Sequence, residues 1–322
     1  MSLAVGVDIG GTKVAAGLVD EDGAVVCTAR RPTPGRDAGA VEDTIVEVVG
    51  ELAAHARVCG AEVVSVGVGA AGFVAQDRAT VLFSPHLAWR NEPLRDAVQN
   101  RLDRPVLVDN DANGAAWAEW RFGAGRGESH LVCITLGTGI GGALVLDGRL
   151  ERGRYGVAGE FGHMVLVPGG HRCECGGRGC WEQYASGNAV TREARELARS
   201  GSPVAHELLR RAGGDPDAVT GPLLTEAAQA GDPAAREVLE DVGTWFGTGL
   251  ANLAAALDPG TFVVGGGLSE AGDLLLGPAR AAFARSLTGR GYRPQARVLA
   301  AQLGAQAGLV GMADLGRRHA TA

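Results

Sequence analysis

Three cysteines lie within eight residues, Cys173, Cys175 and Cys180, in the stretch HRCECGGRGCWE that opens at His171 and closes on Trp181 and Glu182. A C-x-C-x4-C spacing can serve a disulfide, a reactive thiol or a metal clip. Three thiols leave one unpaired in any disulfide scheme, and a reducing compartment would not keep the bridge. Three thiolates and one imidazole instead close a tetrahedral Zn2+ shell with no open position, which makes the site structural. Two histidines compete for the fourth place. His171 is nearer in sequence, but H-x-C leaves little chain to wrap a tetrahedron. His163 lies further upstream, and the Gly169-Gly170 turn lets the chain fold back to it. The residues leave both open. Cys27, Cys59 and Cys133 sit in apolar runs and read as ordinary buried thiols.

A second constellation is acidic. VLVDNDAN places Asp109, Asn110 and Asp111 at the end of an apolar strand, where open α/β sheets hold ligands. Asp111 immediately precedes a helix, so it suits an N-cap. It equally suits a general base that orients an alcohol toward a γ-phosphate, and the spacing alone does not choose between the aspartates. Asn110 can donate to and accept from vicinal hydroxyls, which suits a polyol. Glu160 and His163, three residues apart in GVAGEFGHM, would share a face if helical.

Three glycine-rich turns complete the set. Asp8-Ile9-Gly10-Gly11-Thr12-Lys13 is neither a P-loop nor a dinucleotide fingerprint, because G-x-x-x-x-G-K is absent and no helix follows. Its backbone N–H groups, the Thr12 hydroxyl and the Lys13 charge can still cradle phosphate, and Asp8 suits Mg2+ through water. Lys13 is the only lysine beside 29 arginines. Gly137-Thr138-Gly139 repeats the hairpin. Gly265 and Gly266, in VVGGGLS, end a strand and allow close backbone approach to a flat ligand.

The elements that must carry these turns are legible from hydrophobic period. A strand, glycine hairpin, strand and D-G turn open the chain, and the same order returns at HLVCITLGTGIGGALVLDGRL, which points to an internally duplicated α/β unit. Helical spacing marks 38–58, a helix capped by Asn91 and running to Leu102, one ending at Gly123, then 189–199, 203–212, 222–230, 232–256 and a last one near 304–318. We expect an N-terminal domain over 1–117, with the last helix packing back on it, and a larger one over 118–303, meeting across a cleft. Two hairpins and a third turn, one set per half, match the duplicated actin, sugar-kinase and heat-shock ATPase architecture (a ribonuclease H-like fold). The 322 residues are 46% apolar, enough for two cores. A net charge of −7 argues against nucleic acid or an anionic membrane as partner. No apolar run is long enough to span a bilayer, and no leader pattern precedes the first strand, so a cytoplasmic protein is expected.

Taken together, DIGGTK, VDNDAN, TLGTGIGGALVLDGRLERGRYGVAGEFGH and HRCECGGRGCWEQYASG resemble the ROK (repressor, open reading frame, kinase) family, most closely its actinobacterial glucokinases. The resemblance implies ATP-dependent phosphorylation of glucose at its 6-hydroxyl, with Asp111 as base. It implies sugar contacts from Asn110, Asp111, Glu160, His163 and Glu182, and zinc ligation by His163, Cys173, Cys175 and Cys180, so it chooses His163 over His171. It also implies a homodimer or homotetramer. The rivals are a kinase for mannose, fructose or N-acetylmannosamine, polyphosphate as donor, and a sugar-binding regulator. Only seven residues precede Asp8, so a DNA-binding module is not expected ahead of it.

Overall fold

The computed structural model describes residues 2–35, 37–84 and 87–321. The chain opens with β1 (Ser2–Ile9), β2 (Lys13–Val19) and β3 (Val25–Pro32), an antiparallel meander. Helix α1 (Ala38–Val58) crosses to β4 (Glu62–Ala70), which pairs parallel with β1. A small sheet of β5 (Phe73–Val74), β6 (Val81–Phe83) and β7 (Arg90–Glu92) follows, then α2 (Leu94–Leu102). Strand β8 (Val106–Asn110) pairs parallel with β4 and runs directly into α3 (Asp111–Phe122). Next come β9 (His130–Leu136), β10 (Ile140–Leu146) and β11 (Arg149–Glu151). After the cysteine loop lie α4 (Glu182–Ala185), α5 (Gly187–Arg199), α6 (His206–Arg211), α7 (Gly221–Gln229) and α8 (Pro233–Leu257). The chain ends with β12 (Thr261–Gly265), α9 (Asp273–Ser286), β13 (Arg297–Ala300) and α10 (Ala307–Ala320).

The two large sheets have the orders β3-β2-β1-β4-β8 and β11-β10-β9-β12-β13. Each is a three-strand meander extended by two further strands in the same sequence, which is the signature of the duplication expected from the repeated hairpin pattern. The chain divides into two compact units, one of 1–133, 142–159 and 301–322, the other of 134–141 and 160–300. The breaks after Cys133 and Gly141 fall inside β9 and β10.

In the first unit the period-2 alternation of β1 decides which helix covers which face. Leu3, Val5, Val7 and Ile9 pack with Ile45, Val48 and Leu52 of α1. Ala4 joins Val310 and Ala313 of α10 on the other face. Asp8 shares that parity, and its carboxyl lies where a Cβ on Gly308 of α10 would approach to 3.2 Å. Helix α10 also meets α3 at backbone distance: a Cβ on Gly311 would fall 1.7 Å from the Gly114 carbonyl oxygen, so only glycine fits. Trp117 Nε1 donates to the buried Asp314 carboxylate at 2.8 Å, pinning the same contact.

In the second unit α8 is the central helix, packing against α9, α5 and α7. Trp181, fully buried, stacks on Phe246 with centroids 5.3 Å apart and donates from Nε1 to the Trp245 carbonyl. The end of the cysteine loop is thereby anchored in the core.

Three expectations need correction. Asn91 does not cap α2. It lies in β7 with φ +52, and the helix begins after Pro93. The N-cap of α3 is Asn110, whose Oδ1 accepts the Asn113 N–H at 3.2 Å, so Asp111 is the first helical residue and not the cap. Of the three isolated cysteines only Cys133 is buried, while Cys59 is exposed and Cys27 half-buried.

Candidate functional site

The end of β8 separates the two aspartates that the sequence could not. Asp109 is 1% exposed. Its Oδ1 accepts from the Asn110 N–H at 2.9 Å and Asn113 Nδ2 at 2.8 Å, and its Oδ2 accepts Arg152 Nε at 3.0 Å and Nη2 at 2.6 Å. A carboxylate with both oxygens filled by donors has no lone pair left for a substrate proton. Asp111 is half-buried, and its Oδ1 accepts the Ala112 N–H at 2.9 Å. The Asn110 side chain is largely engaged: besides capping α3, its Nδ2 donates to the Gly72 carbonyl at 3.1 Å. One amide proton remains to it for other use.

The first glycine hairpin closes through the Gly10 N–H to the Lys13 carbonyl at 3.0 Å. Thr33, just past β3, braces it, donating from Oγ1 to the Gly10 carbonyl at 2.8 Å and from N–H to the Thr12 carbonyl at 3.1 Å. Gly11, Thr12 and Lys13 form the exposed tip. Burial raises the Asp8 carboxyl above its ordinary range, with the Lys13 charge opposing. A desolvated carboxylate with one nearby lysine suits a cation.

The second hairpin is held differently. The Gly137 N–H donates to the Gly139 carbonyl at 3.0 Å, and the first N–H groups of α5 bind its tip, Gly187 to the Gly137 carbonyl at 2.9 Å and Asn188 to the Thr138 carbonyl at 3.2 Å. Gly266 lies next to this hairpin's strand with φ +86, and a Cβ there would fall 2.4 Å from the Leu136 carbonyl oxygen. Gly265 ends β12. A cavity of about 650 Å³ opens beside Gly137 and Thr138, lined also by Asn188, Thr225, Glu226 and Glu270. Among the described residues its lining includes two carboxylates and no arginine or lysine. The walls from α5, α7 and the turn after β12 were not legible in the sequence, because these segments are far apart along the chain and only the fold brings them together.

The cysteine loop brings His163, Cys173, Cys175 and Cys180 together, with one ligand atom from each within 4.8 Å of the others. Cys175 and Cys180 sulfurs are 3.6 Å apart, and Cys173 Sγ is 3.6 Å from His163 Nδ1. Tetrahedral Zn2+ with ordinary bond lengths places two sulfurs about 3.8 Å apart and a sulfur and nitrogen about 3.6 Å apart. The donor set and its spacing therefore fit zinc. His171 is elsewhere: its N–H donates to the Tyr184 hydroxyl at 2.9 Å and its ring packs on that of Tyr184. Backbone pairing of Leu166 and Val167 N–H groups to the Gly179 carbonyl, and of Trp181 N–H to the Met164 carbonyl, brings the segment after His163 against the last cysteine.

Burial pushes the Cys173 thiol up, and the Glu182 carboxylate 3.0 Å away pushes it further. Cys180 is raised by burial and by Cys175. Burial also raises Cys175, but the Gly177 N–H and the two neighbouring thiols outweigh it and bring that thiol below its ordinary value. Glu182 Oε1 is also 3.5 Å from His163 Nδ1, while Nε2 of the same ring faces Glu160 at 3.9 Å. Metal on Nδ1 would fix the proton on Nε2, directed toward the Glu160 side. Burial raises the Glu160 carboxyl, His163 lowers it and Glu182 raises it again.

The chain is similar to known sugar kinases. The profile of the ROK family matches residues 4–319. A glucokinase of Streptomyces coelicolor is 49% identical over 98% of this chain and 98% of its own. The crystal structure of a ROK family glucokinase from Streptomyces griseus, in complex with glucose and AMPPNP, superposes with a TM-score of 0.90 at 50% identity, covering 98% of this chain and 99% of that one. A ROK hexokinase from Thermus thermophilus gives 0.78 at 33% identity, over 99% of each chain.

Proposed function

The chain belongs to the ROK family, and we propose that it is a glucokinase, transferring the γ-phosphoryl group of ATP to the 6-hydroxyl of glucose with Asp111 as the base. One observation carries the assignment of the base. Of the two carboxylates at the end of β8, Asp109 is spent on Arg152, Asn113 and the Asn110 N–H, which leaves Asp111 at the head of α3. Phosphoryl transfer is chiefly positioning and charge neutralisation, so the base orients the hydroxyl and takes its proton late.

Asn110, Glu160, His163 and Glu182 supply the sugar contacts in this reading. His163, Cys173, Cys175 and Cys180 would hold a structural Zn2+, which would fix the ring of His163 and the loop that carries Glu182. Bound ATP would supply the phosphoryl group, and Mg2+ would neutralise its charge. The hairpin tips closed by the Gly10 and Gly137 N–H groups would offer the phosphates donors from Gly11, Thr12 and Lys13 and from Thr138 and Gly139, and Asp8 would face Mg2+. The carboxylates of Glu226 and Glu270 and the lack of basic lining favour a nucleoside over a polyphosphate chain at the cavity beside Thr138. The reading also includes a homodimer or homotetramer, and a cytoplasmic setting that keeps the three thiols reduced.

The test is ADP release over a panel of glucose, mannose, fructose and N-acetylmannosamine, each with ATP and, for sugar phosphate formation, with polyphosphate. Glucose with ATP is expected to give the highest kcat/KM. A higher value for another hexose would reassign the substrate, and no ADP with any of them would remove the kinase reading.

A further inference from the structure

The end of β8 holds more buried charge than a strand end requires. Asp109 takes four hydrogen bonds, two of them from the Arg152 fork on a single oxygen. Arg78 Nε lies 3.5 Å from that same oxygen. The Arg78 backbone sits in the left-handed region at φ +54, and its carbonyl accepts the Val108 N–H at 3.1 Å, one residue before Asp109. Its Nη2 is buried and, among the described residues, has no hydrogen-bond partner. Two guanidiniums thus face one carboxylate. Desolvating such a group offsets most of its Coulomb attraction, and apolar side chains would hold a strand end as well. Stability alone is a poor reason for the cluster.

Its geometry gives a better one. Asp109 grips the N–H of Asn110 and the side chain of Asn113, Asn110 caps α3 and binds Gly72, and Asp111 is the first residue of that helix. Every one of these bonds fixes the backbone that presents Asn110 and Asp111. Arg152 is itself fixed, since its carbonyl accepts the Ala158 N–H at 3.0 Å.

We propose that Arg152, through its forked grip on Asp109 and with Arg78 as support, is a positioning residue that sets Asn110 and Asp111 for phosphoryl transfer. The proposal rests on the reading of Asp111 as the base. Arg152 acts through Asp109 and touches no substrate. A misplacement of about 1 Å at a reacting group costs on the order of 100-fold in rate, so a loosened carboxylate two residues before the base is felt in kcat. Lysine cannot substitute fully, because it offers a point charge without the planar fork.

The experiment compares the zinc-loaded wild type with Arg152→Met, Arg152→Lys, Asp109→Asn and the Arg152→Met/Asp109→Asn double variant. It reads kcat, KM for glucose and for ATP, and amide hydrogen exchange at Asn110. Arg152→Met should lose about 10- to 100-fold in kcat while KM for ATP stays within about twofold. Arg152→Lys should regain only part of that loss. Exchange at Asn110 should speed up in step with the fall in kcat. The double variant should be no worse than the worse single, because both changes remove one contact. A folded Arg152→Met with wild-type kcat overturns the proposal, as does a double variant whose losses multiply. If Arg152→Met does not fold, wild-type kcat in both Arg152→Lys and Asp109→Asn overturns it. A wild type inactive on every hexose removes the kinase reading and this proposal together, whereas an active wild type with fully active variants removes this proposal alone.

Discussion

At the end of β8 the Asp109 carboxylate is matched by arginine and amide donors from within the chain, whereas the cysteine loop gathers three thiols around a histidine and a carboxylate with no arginine or lysine among them. Asp109 is neutralised by arginine and amide. Cys173, Cys175 and Cys180 face one another, a histidine and the Glu182 carboxylate, a set that repels itself once the thiols ionise. The first region is held by contacts within the chain, and the donor set of the second fits a cation. In the proposed reading the first region should respond to mutation of its internal contacts and the second to metal.

The sharpest way to break that contrast is to remove the metal. A chelated protein, shown zinc-free by metal analysis, should lose about 100-fold or more in kcat/KM for glucose and recover on adding Zn2+. Amide exchange at Asn110 should not change. Full activity without zinc would mean that the loop holds its shape unaided. Next in size is Glu182→Gln. It keeps the shape but removes the charge beside Cys173 and His163, and should raise KM for glucose about tenfold with zinc still bound.

On the other side, Asn113→Ala leaves Asp109 Oδ1 with one donor fewer in a buried setting. Urea denaturation should show a loss of about 1–3 kcal/mol, with zinc content unaltered. His171→Ala should be nearly silent, with metal stoichiometry preserved and activity within about twofold, since its contacts are to Tyr184. A loss of zinc in that variant would reinstate His171 as a ligand. Last, Cys133 separates a structural thiol from the ligand thiols. Full burial pushes it up to about 12. The reactive form is the thiolate, so at pH 9 this thiol stays protonated and should resist iodoacetamide until the protein unfolds.

The sequence made the duplication, both hairpins and the cysteine cluster legible because each is local: a glycine turn between apolar strands, or donors a few residues apart. The β8 strand and the α3 start were also visible, but not which residue was the cap. Asp109, Asn110 and Asp111 stand in a row there, and capping preference ranks them alike. Asn91 misled for the same reason, since a polar residue before an apolar run also fits a short edge strand. Arg152 escaped notice because its partner is 43 residues away and nothing in ERGRYG marks the arginine that turns inward. The cavity walls were hidden because they come from separate segments, the hairpin tip, α5, α7 and the turn after β12, which only the fold brings together.

The measurement that bears most directly on the whole account is turnover by Asp111→Asn with saturating glucose and ATP, made beside glucose binding by calorimetry. The account predicts a fall in kcat of about 100- to 10,000-fold with glucose affinity within about threefold of wild type. Turnover near the wild-type rate would contradict it, and would return the search for the base to the other carboxylates.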